Sequence, residues 1–345
     1  MSETLTSAIT VNHGQLAQYL DFVIQNRTSR LVPVVAGPPG CGKSHAVDQA
    51  AERNNCELMI MHPVMATPED FKGYPTLVDG EGYFVPFADL KRLVTATKPL
   101  VCFIDDAGQA PPTVQAALMQ LVEARQIDGK KISDQVIFVL ATNRREDKAA
   151  VTGMLEPLKG RSIMLNLEVT KDDWVAWAIE HDMPAELVAF IEMRPDMLTS
   201  FEASKSMTNS PTARTIARVG THQRCGLPKE LEYPVFSGCV GEGFATEYIG
   251  FLKIFRDLPN IPNLIANPHT SYVPSLDKPA VMYAICGALA YEAKPDNFAN
   301  IMEYANRLPV EFSTMLVLNA IKRTPKLTSN PAFSQWGIKN ADYLI

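Results

Sequence analysis

Leu31-Val32-Pro33-Val34-Val35-Ala36 runs straight into Gly37-Pro38-Pro39-Gly40-Cys41-Gly42-Lys43-Ser44, and the join between the two decides the fold. The first six residues are continuously apolar, as a strand buried on both faces of a parallel sheet should be. Pro33 has no N–H to give to a ladder, so it belongs at the strand's first residue. The next eight fit G-x-x-x-x-G-K-[ST] in full, and a helical pattern begins at about Lys43. Glycines let such a loop wrap back until its amide N–H groups converge on phosphate oxygens, and the following helix adds its positive N-terminal end. Gly37, Pro38, Pro39, Gly40, Cys41, Gly42, Lys43 and Ser44 are therefore expected to cradle the phosphates of a nucleotide. Lys43 would hold the β- and γ-phosphates and Ser44 would ligate Mg²⁺, so ATP and Mg²⁺ are the expected cofactors. An ordinary glycine-rich turn has no reason to sit between a buried strand and a helix start.

Outward from the loop, short β-branched runs alternate with helical patterns, the signature of a parallel α/β sheet. The runs are Leu31–Ala36, Glu57–Met61, Leu100–Ile104, Val136–Leu140 and Ser162–Leu167. Val114, Ala117, Leu118, Leu121 and Val122 follow i, i+3, i+4, i+7, i+8 and predict an amphipathic helix begun by Pro111-Pro112. Two Asp-Gly hairpins interrupt the alternation, one at about 74–86 around residues 79–82 and one at about 126–133 around residues 128–131. After about residue 168 the strand signals fade. Thr170-Lys171-Asp172-Asp173 reads as a helix start with Trp174, Trp177 and Ala178 on one face, and helices broken by Pro-containing loops follow to Ile345. The expected division is an α/β core over residues 1–168 and an all-helical region over residues 169–345.

Two further strand ends carry polar groups. Leu100-Val101-Cys102-Phe103-Ile104 ends in Asp105-Asp106. In an enzyme with such a loop, Asp105 would hold Mg²⁺ through its water shell, and Asp106 would orient or deprotonate the attacking water. Val136-Ile137-Phe138-Val139-Leu140-Ala141-Thr142 ends in Asn143, which could hydrogen-bond the lytic water or the γ-phosphate. Taken singly, an Asp or Asn at a strand end is as readily a turn residue. The phosphate loop upstream is what favours the chemical reading.

The bulk composition bounds the alternatives. The 345 residues suit two domains, and 46% hydrophobic against 20% charged residues allow sizeable cores. A net charge of −6 argues against a bulk electrostatic grip on nucleic acid. The six cysteines show no C-x-x-C pair and no Cys/His cluster, so reduced thiols are expected rather than a zinc site or disulfide framework. Met1 to Asn12 is polar, no apolar run approaches the ~20 residues of a membrane span, and a cytoplasmic location without membrane association is expected.

The three strand ends, in this order and spacing, resemble the AAA+ superfamily: Walker A, Walker B and the sensor-1 Asn. More narrowly the chain looks like the MoxR-type branch found in bacterial and phage genomes. The likeness extends through Phe71-Lys72-Gly73-Tyr74-Pro75, Gln109-Ala110-Pro111-Pro112-Thr113-Val114-Gln115, Asn143-Arg144, Asp173-Trp174, Arg194-Pro195 and Gly238-Cys239-Val240-Gly241-Glu242-Gly243. The resemblance implies a three-layer αβα core with a five-stranded parallel sheet, a helical lid, nucleotide held between them, and a hexameric ring as the working form. It implies that the two hairpins shape the pore and the partner face. It also implies a chaperone-like remodeller whose partner carries a von Willebrand factor A domain. By the same resemblance Arg161, before the fifth strand, is the arginine finger that reaches a neighbouring subunit's ATP; a surface salt bridge is the plainer alternative. Arg214 matches the sensor-2 Arg, with Ser210 as N-cap and Pro211 as first residue of a helix ending near Gly220; Arg218, one turn on, competes with it. Three departures bear on rate. Asp106 stands where the branch usually has Glu, Ser162 where it has Phe, and Thr212-Ala213 separate Pro211 from Arg214.

The six histidines share no ligand spacing and read as solvated or capping groups. Trp174 and Trp177 read as helical-domain core, and Gly238-x-x-Gly241-x-Gly243 as close packing before a helix over 244–255. The expected function is Mg²⁺-dependent ATP hydrolysis coupled to remodelling of a protein. The alternatives are a DNA-linked loader or translocase, and an ATP-gated scaffold that hardly hydrolyses.

Overall fold

The computed structural model describes residues 10–144, 153–198 and 209–340. Contacts divide the chain into two compact units, Met1–Val169 and Thr170–Ile345. The first begins with β1 (Thr10–Val11), α1 (His13–Gln25), β2 (Pro33–Ala36), α2 (Lys43–Arg53) and β3 (Glu57–Met61). It continues through α3 (Glu69–Lys72), β4 (Tyr74–Val78), β5 (Glu81–Val85), α4 (Ala88–Thr95), β6 (Leu100–Ile104) and α5 (Pro112–Ala124). It ends with β7 (Gln126–Ile127), β8 (Lys130–Lys131), β9 (Val136–Thr142), α6 (Glu156–Lys159) and β10 (Ile163–Leu167).

The main sheet runs in the order β1-β10-β2-β9-β6-β3, and every neighbouring pair is parallel. The five strands expected from sequence are all present, with Pro33 opening β2. A sixth was missed: two residues, Thr10-Val11, pair with Asn166 and Leu167 at the sheet's edge, too short to leave a periodic signal.

Alternation within the apolar runs assigns the two faces. Val35, Val101, Phe103, Ile137 and Val139 pack with Leu16, Leu20 and Val23 of α1 and with Ala46, Val47 and Ala50 of α2. Val34, Cys102, Ile104, Phe138 and Leu140 pack on the other face with Leu90 and Leu93 of α4 and with Val114, Leu118 and Leu121 of α5. Both faces are covered, which is why the strands are uninterrupted apolar runs. Burying each large aliphatic or aromatic side chain contributes about 1.5–3 kcal/mol.

Both hairpins turn more tightly than the sequence reading supposed. Val78 pairs with Glu81 and Ile127 with Lys130, so each turn is only the Asp-Gly dipeptide. Asp79 and Gly80, and Asp128 and Gly129, all have positive φ (53°, 84°, 47° and 74°), which suits the right-handed twist of the flanking strands. The buried Arg125, itself left-handed, fixes the second hairpin by donating to the carbonyls of Ser133 and Val136 with its guanidinium over the Phe138 ring.

The second unit is helical throughout its described residues: α7 (Lys171–Glu180), α8 (Ala185–Met193), α9 (Ala213–Arg224), α10 (Lys229–Val240) and α11 (Glu242–Arg256) come first. Then follow α12 (Ile261–Ala266), α13 (Pro279–Glu292), α14 (Phe298–Ala305), α15 (Val310–Arg323) and α16 (Pro331–Lys339). Thr170 caps α7 by accepting from the Asp173 amide, and Trp174 is buried. The expected start of α9 is corrected. Thr212, not Ser210, is its N-cap, because Thr212 and Thr215 exchange hydrogen bonds between hydroxyl and amide in both directions. Nor does α9 stop at Gly220. A Cβ there would lie 2.7 Å from Met183 Sδ and 2.8 Å from Leu187 Cδ2, so this glycine serves close helix packing and not termination. Gly238 and Gly243, by contrast, sit inside α10 and α11 with open space around them, so the close packing expected of this stretch is found only at Gly241, where a Cβ would lie 2.8 Å from the Asn209 carbonyl oxygen.

Candidate functional site

The phosphate-loop residues link β2 to α2 on the C-terminal edge of the sheet, where the neighbouring strands β9 and β6 also end. Open parallel sheets bind ligands at such edges. Gly42 is the N-cap of α2 with φ +94°, and no side chain caps the helix, so its first amides are offered to a ligand. A Cβ on Gly42 would also come within 3.0 Å of His13 Nε2. That histidine was set aside in the sequence reading, yet its ring bonds the Cys41 carbonyl at 2.9 Å across 28 residues. A carbonyl only accepts, so Nε2 is the donor and α1 holds the loop from outside.

Lys43 is buried to 7% exposure and uses all three ammonium protons, on the carbonyls of Gly37 (2.9 Å) and Pro38 (3.0 Å) and on Asn143 Oδ1 (2.9 Å). Its hydrogen-bond partners are neutral, so the positive charge is solvated by dipoles and open to an anion. Cys41, facing the same ammonium at 3.9 Å, is an ordinary thiol whose pKa burial raises.

Ser44 Oγ, one residue on, donates to Asp105 Oδ2 at 3.0 Å. A hydroxyl and a carboxylate at this separation, beside a phosphate cradle, are the hard oxygen donors that Mg²⁺ takes, so the residues fit that ion. Asp105 Oδ1 accepts the Asp106 amide at 3.1 Å. Asp106 has φ 56°, a left-handed conformation uncommon outside glycine but tolerated by Asp, and it turns its carboxylate out of the strand direction. Burial, and then the Asp105 charge beside it, push its carboxyl above the usual range, against the opposing pull of Lys43, the Gln109 amide and His62.

The sequence reading also passed over Gln109 and Gln115. Gln109 follows Asp106 by three residues across a single 3₁₀ turn, Ala107–Gln109, and its Nε2 donates to Asp106 Oδ1 at 2.6 Å. Gln115 is 1% exposed and satisfies the carbonyls of Ala110 and Gly153 and the amide of Leu155, tying α5 to the chain before α6. An i, i+3 Asp-Gln pair was visible in the sequence; a bond over 38 residues was not.

Lys43, Ser44, Asp105, Asp106 and Asn143 are thus joined by hydrogen bonds within one constellation. Arg161 is elsewhere. It is 44% exposed, Nε lies 2.5 Å from Glu123 Oε1, and Nη1 donates to the Pro157 carbonyl at 2.9 Å. Within one subunit it therefore forms the surface ion pair that was its plainer reading. Arg214 stands exposed as the second residue of α9, and Arg218 is exposed one turn later.

Residues 34–161 match the family model described as AAA domain (dynein-related subfamily). No curated protein matches the sequence. Among solved structures, the chain is similar to a mutant of Thermotoga maritima RuvB at 18% identity, covering 80% of this chain and 82% of that one with a TM-score of 0.41. The T. maritima RuvB Holliday junction branch migration motor gives 17%, 80%, 81% and 0.39. NtrX from Brucella abortus gives 13% identity over 97% of this chain and 69% of its own, with a TM-score of 0.39.

Proposed function

We propose that this chain, a P-loop AAA+ protein and an ATP hydrolase, works as a ring, with the hexamer its natural size, that uses turnover to remodel a protein partner. The observation that carries the reading is the single constellation in which the Lys43 ammonium, the Ser44–Asp105 pair, Asp106 and Asn143 meet at the ends of three adjacent strands.

In this reading the backbone amides of the loop and of the first turn of α2 hold the phosphates, and Lys43 exchanges its carbonyl partners for β- and γ-phosphate oxygens. Ser44 and Asp105 are the residues that would hold Mg²⁺, which when bound neutralises charge on those oxygens. Asp106 turns the attacking water toward the γ-phosphate and draws its proton. Asn143 reports the γ-phosphate through the amide that already faces Lys43. Arg161 leaves Glu123 to serve the site of the next subunit, and Arg214 supplies a lid cation.

The partner face falls to the first hairpin. Leu77 (77% exposed) and Phe84 are open to solvent on one face of it, Tyr74 and Tyr83 on the other, and Phe87 (67%) packs edge-on against Tyr74, so both faces offer exposed apolar side chains. The MoxR-type likeness suggests a protein with a von Willebrand factor A domain as the occupant. The test is light scattering of the Asp106→Asn protein with Mg²⁺ and ATP. Trapped rings that capture a von Willebrand A-domain protein through the hairpin, and release it on Leu77→Asp, are expected. A monomer under those conditions would remove the ring from the account.

A further inference from the structure

The two acidic residues at the end of β6 and the polar pair at the end of β9 are linked by a side chain that the reaction scheme above leaves unused. Gln109 Nε2 donates to Asp106 Oδ1 at 2.6 Å. A carboxylate only accepts, so the amide orientation is fixed by chemistry, and Gln109 Oε1 must point the other way. There it lies 3.3 Å from Thr142 Oγ1, whose single proton it shares with the nearer Asn143 carbonyl at 3.0 Å. The chain of contacts therefore runs Asp106–Gln109–Thr142–Asn143, and Asn143 ends it on Lys43.

The local sequence is arranged to permit this approach. Asp106 and Gln109 are brought together by one 3₁₀ turn closed by the Gln109 amide on the Asp106 carbonyl at 3.0 Å. Between them Gly108 lies against Thr142, where a Cβ would come within 2.2 Å of the Thr142 hydroxyl. Any larger residue at 108 would push β9's end away from the turn. Asp106 needs the restraint more than a longer acid would. Its short side chain leaves a left-handed backbone, and the bond to Gln109 fixes one carboxylate oxygen, Oδ1.

We propose that Gln109 is a positioning residue for hydrolysis: anchored by Thr142, it holds the Asp106 carboxylate in the orientation that activates water, and it ties that orientation to the strand end carrying Asn143. The inference rests on Asp106 being the water-orienting group. Gln109 touches no phosphate in this scheme, so its loss should spare binding and slow the chemical step. A reacting group displaced by about 1 Å loses on the order of 10²-fold in rate.

The experiment compares full-length wild type with Gln109→Ala, Gln109→Glu, Asp106→Asn and the Gln109→Ala/Asp106→Asn double variant, measuring single-turnover ATP hydrolysis, ATP affinity and thermal melting. Gln109→Glu keeps the shape and the acceptor for Thr142 while removing the donor to Asp106, so a fall in rate with an unchanged melt cannot be assigned to misfolding. Both Gln109 variants are expected to lose about 10²-fold in kcat with ATP affinity within twofold of wild type. In the Asp106→Asn background the Gln109→Ala change is expected to cost less than twofold more, because the residue acts through Asp106. A wild-type kcat in Gln109→Ala beside a slow Asp106→Asn would overturn this inference alone, as would losses that multiply in the double variant. Wild-type turnover by Asp106→Asn would overturn the reading of Asp106 beneath it, and this inference with it.

Discussion

Arg161→Ala separates two accounts of one side chain by magnitude. In the structure Arg161 pairs with Glu123, with both side chains nearly half exposed at 44% and 47%. A pair of that exposure contributes about 0–1 kcal/mol, and the bond to the Pro157 carbonyl adds about as much again. Removing the guanidinium should therefore lower stability by no more than about 2 kcal/mol and leave ATP affinity alone. If Arg161 instead reaches a neighbour's γ-phosphate, its loss removes transition-state stabilisation of about 10³–10⁵ in rate, which is about 4–7 kcal/mol. The two expectations do not overlap. Specific activity is measured against protein concentration, for the variant alone and mixed with Lys43→Ala. Wild-type activity should rise steeply with concentration and level off as rings form. Arg161→Ala should bind ATP and assemble but turn over at least 10³-fold more slowly, and the mixture should recover part of the activity where an intact loop meets an intact finger. A concentration-independent wild-type rate, with no loss on Arg161→Ala, would refute both the finger and the ring.

Asp105→Ala removes one of the two oxygen donors set 3.0 Å apart, so Mg²⁺-dependent turnover should be lost while ATP still binds; isothermal titration with and without Mg²⁺ checks this, and an unchanged Mg²⁺ response would move the metal site elsewhere. Gly108→Ala forces a Cβ to 2.2 Å from Thr142 Oγ1, and the overpacking should cost about 1–3 kcal/mol and lower kcat together; a melt equal to wild type would show that the turn can shift freely.

The fold was largely legible because its strands are apolar runs of ordinary length and its hairpins carry Asp-Gly. The phosphate loop pointed to the candidate site, and Asp105, Asp106 and Asn143 followed from it as polar residues ending buried strands. What escaped has physical reasons. Thr10-Val11 is too short to show a period, and its pairing with β10 is a contact across the whole core. The start of α9 was misplaced because proline beside serine imitates an N-terminus, while the Thr212–Thr215 capping box lies two residues on. Gly220 read as a stop when its missing Cβ makes room for Met183 and Leu187. His13 and Gln115 act through bonds spanning 28 and 38 residues, which no local pattern records. Gln109 was within reach, three residues from Asp106.

The most direct test of the account is ATP turnover by wild type and Lys43→Ala, with ATP affinity and circular dichroism measured on the same samples. Lys43 carries the buried positive charge whose three oxygen partners are all neutral. The account predicts Mg²⁺-dependent phosphate release by the wild type. For Lys43→Ala it predicts an intact circular dichroism spectrum, ATP affinity weakened by at least tenfold, and no measurable turnover. A folded Lys43→Ala protein that binds and hydrolyses ATP as the wild type does would contradict it.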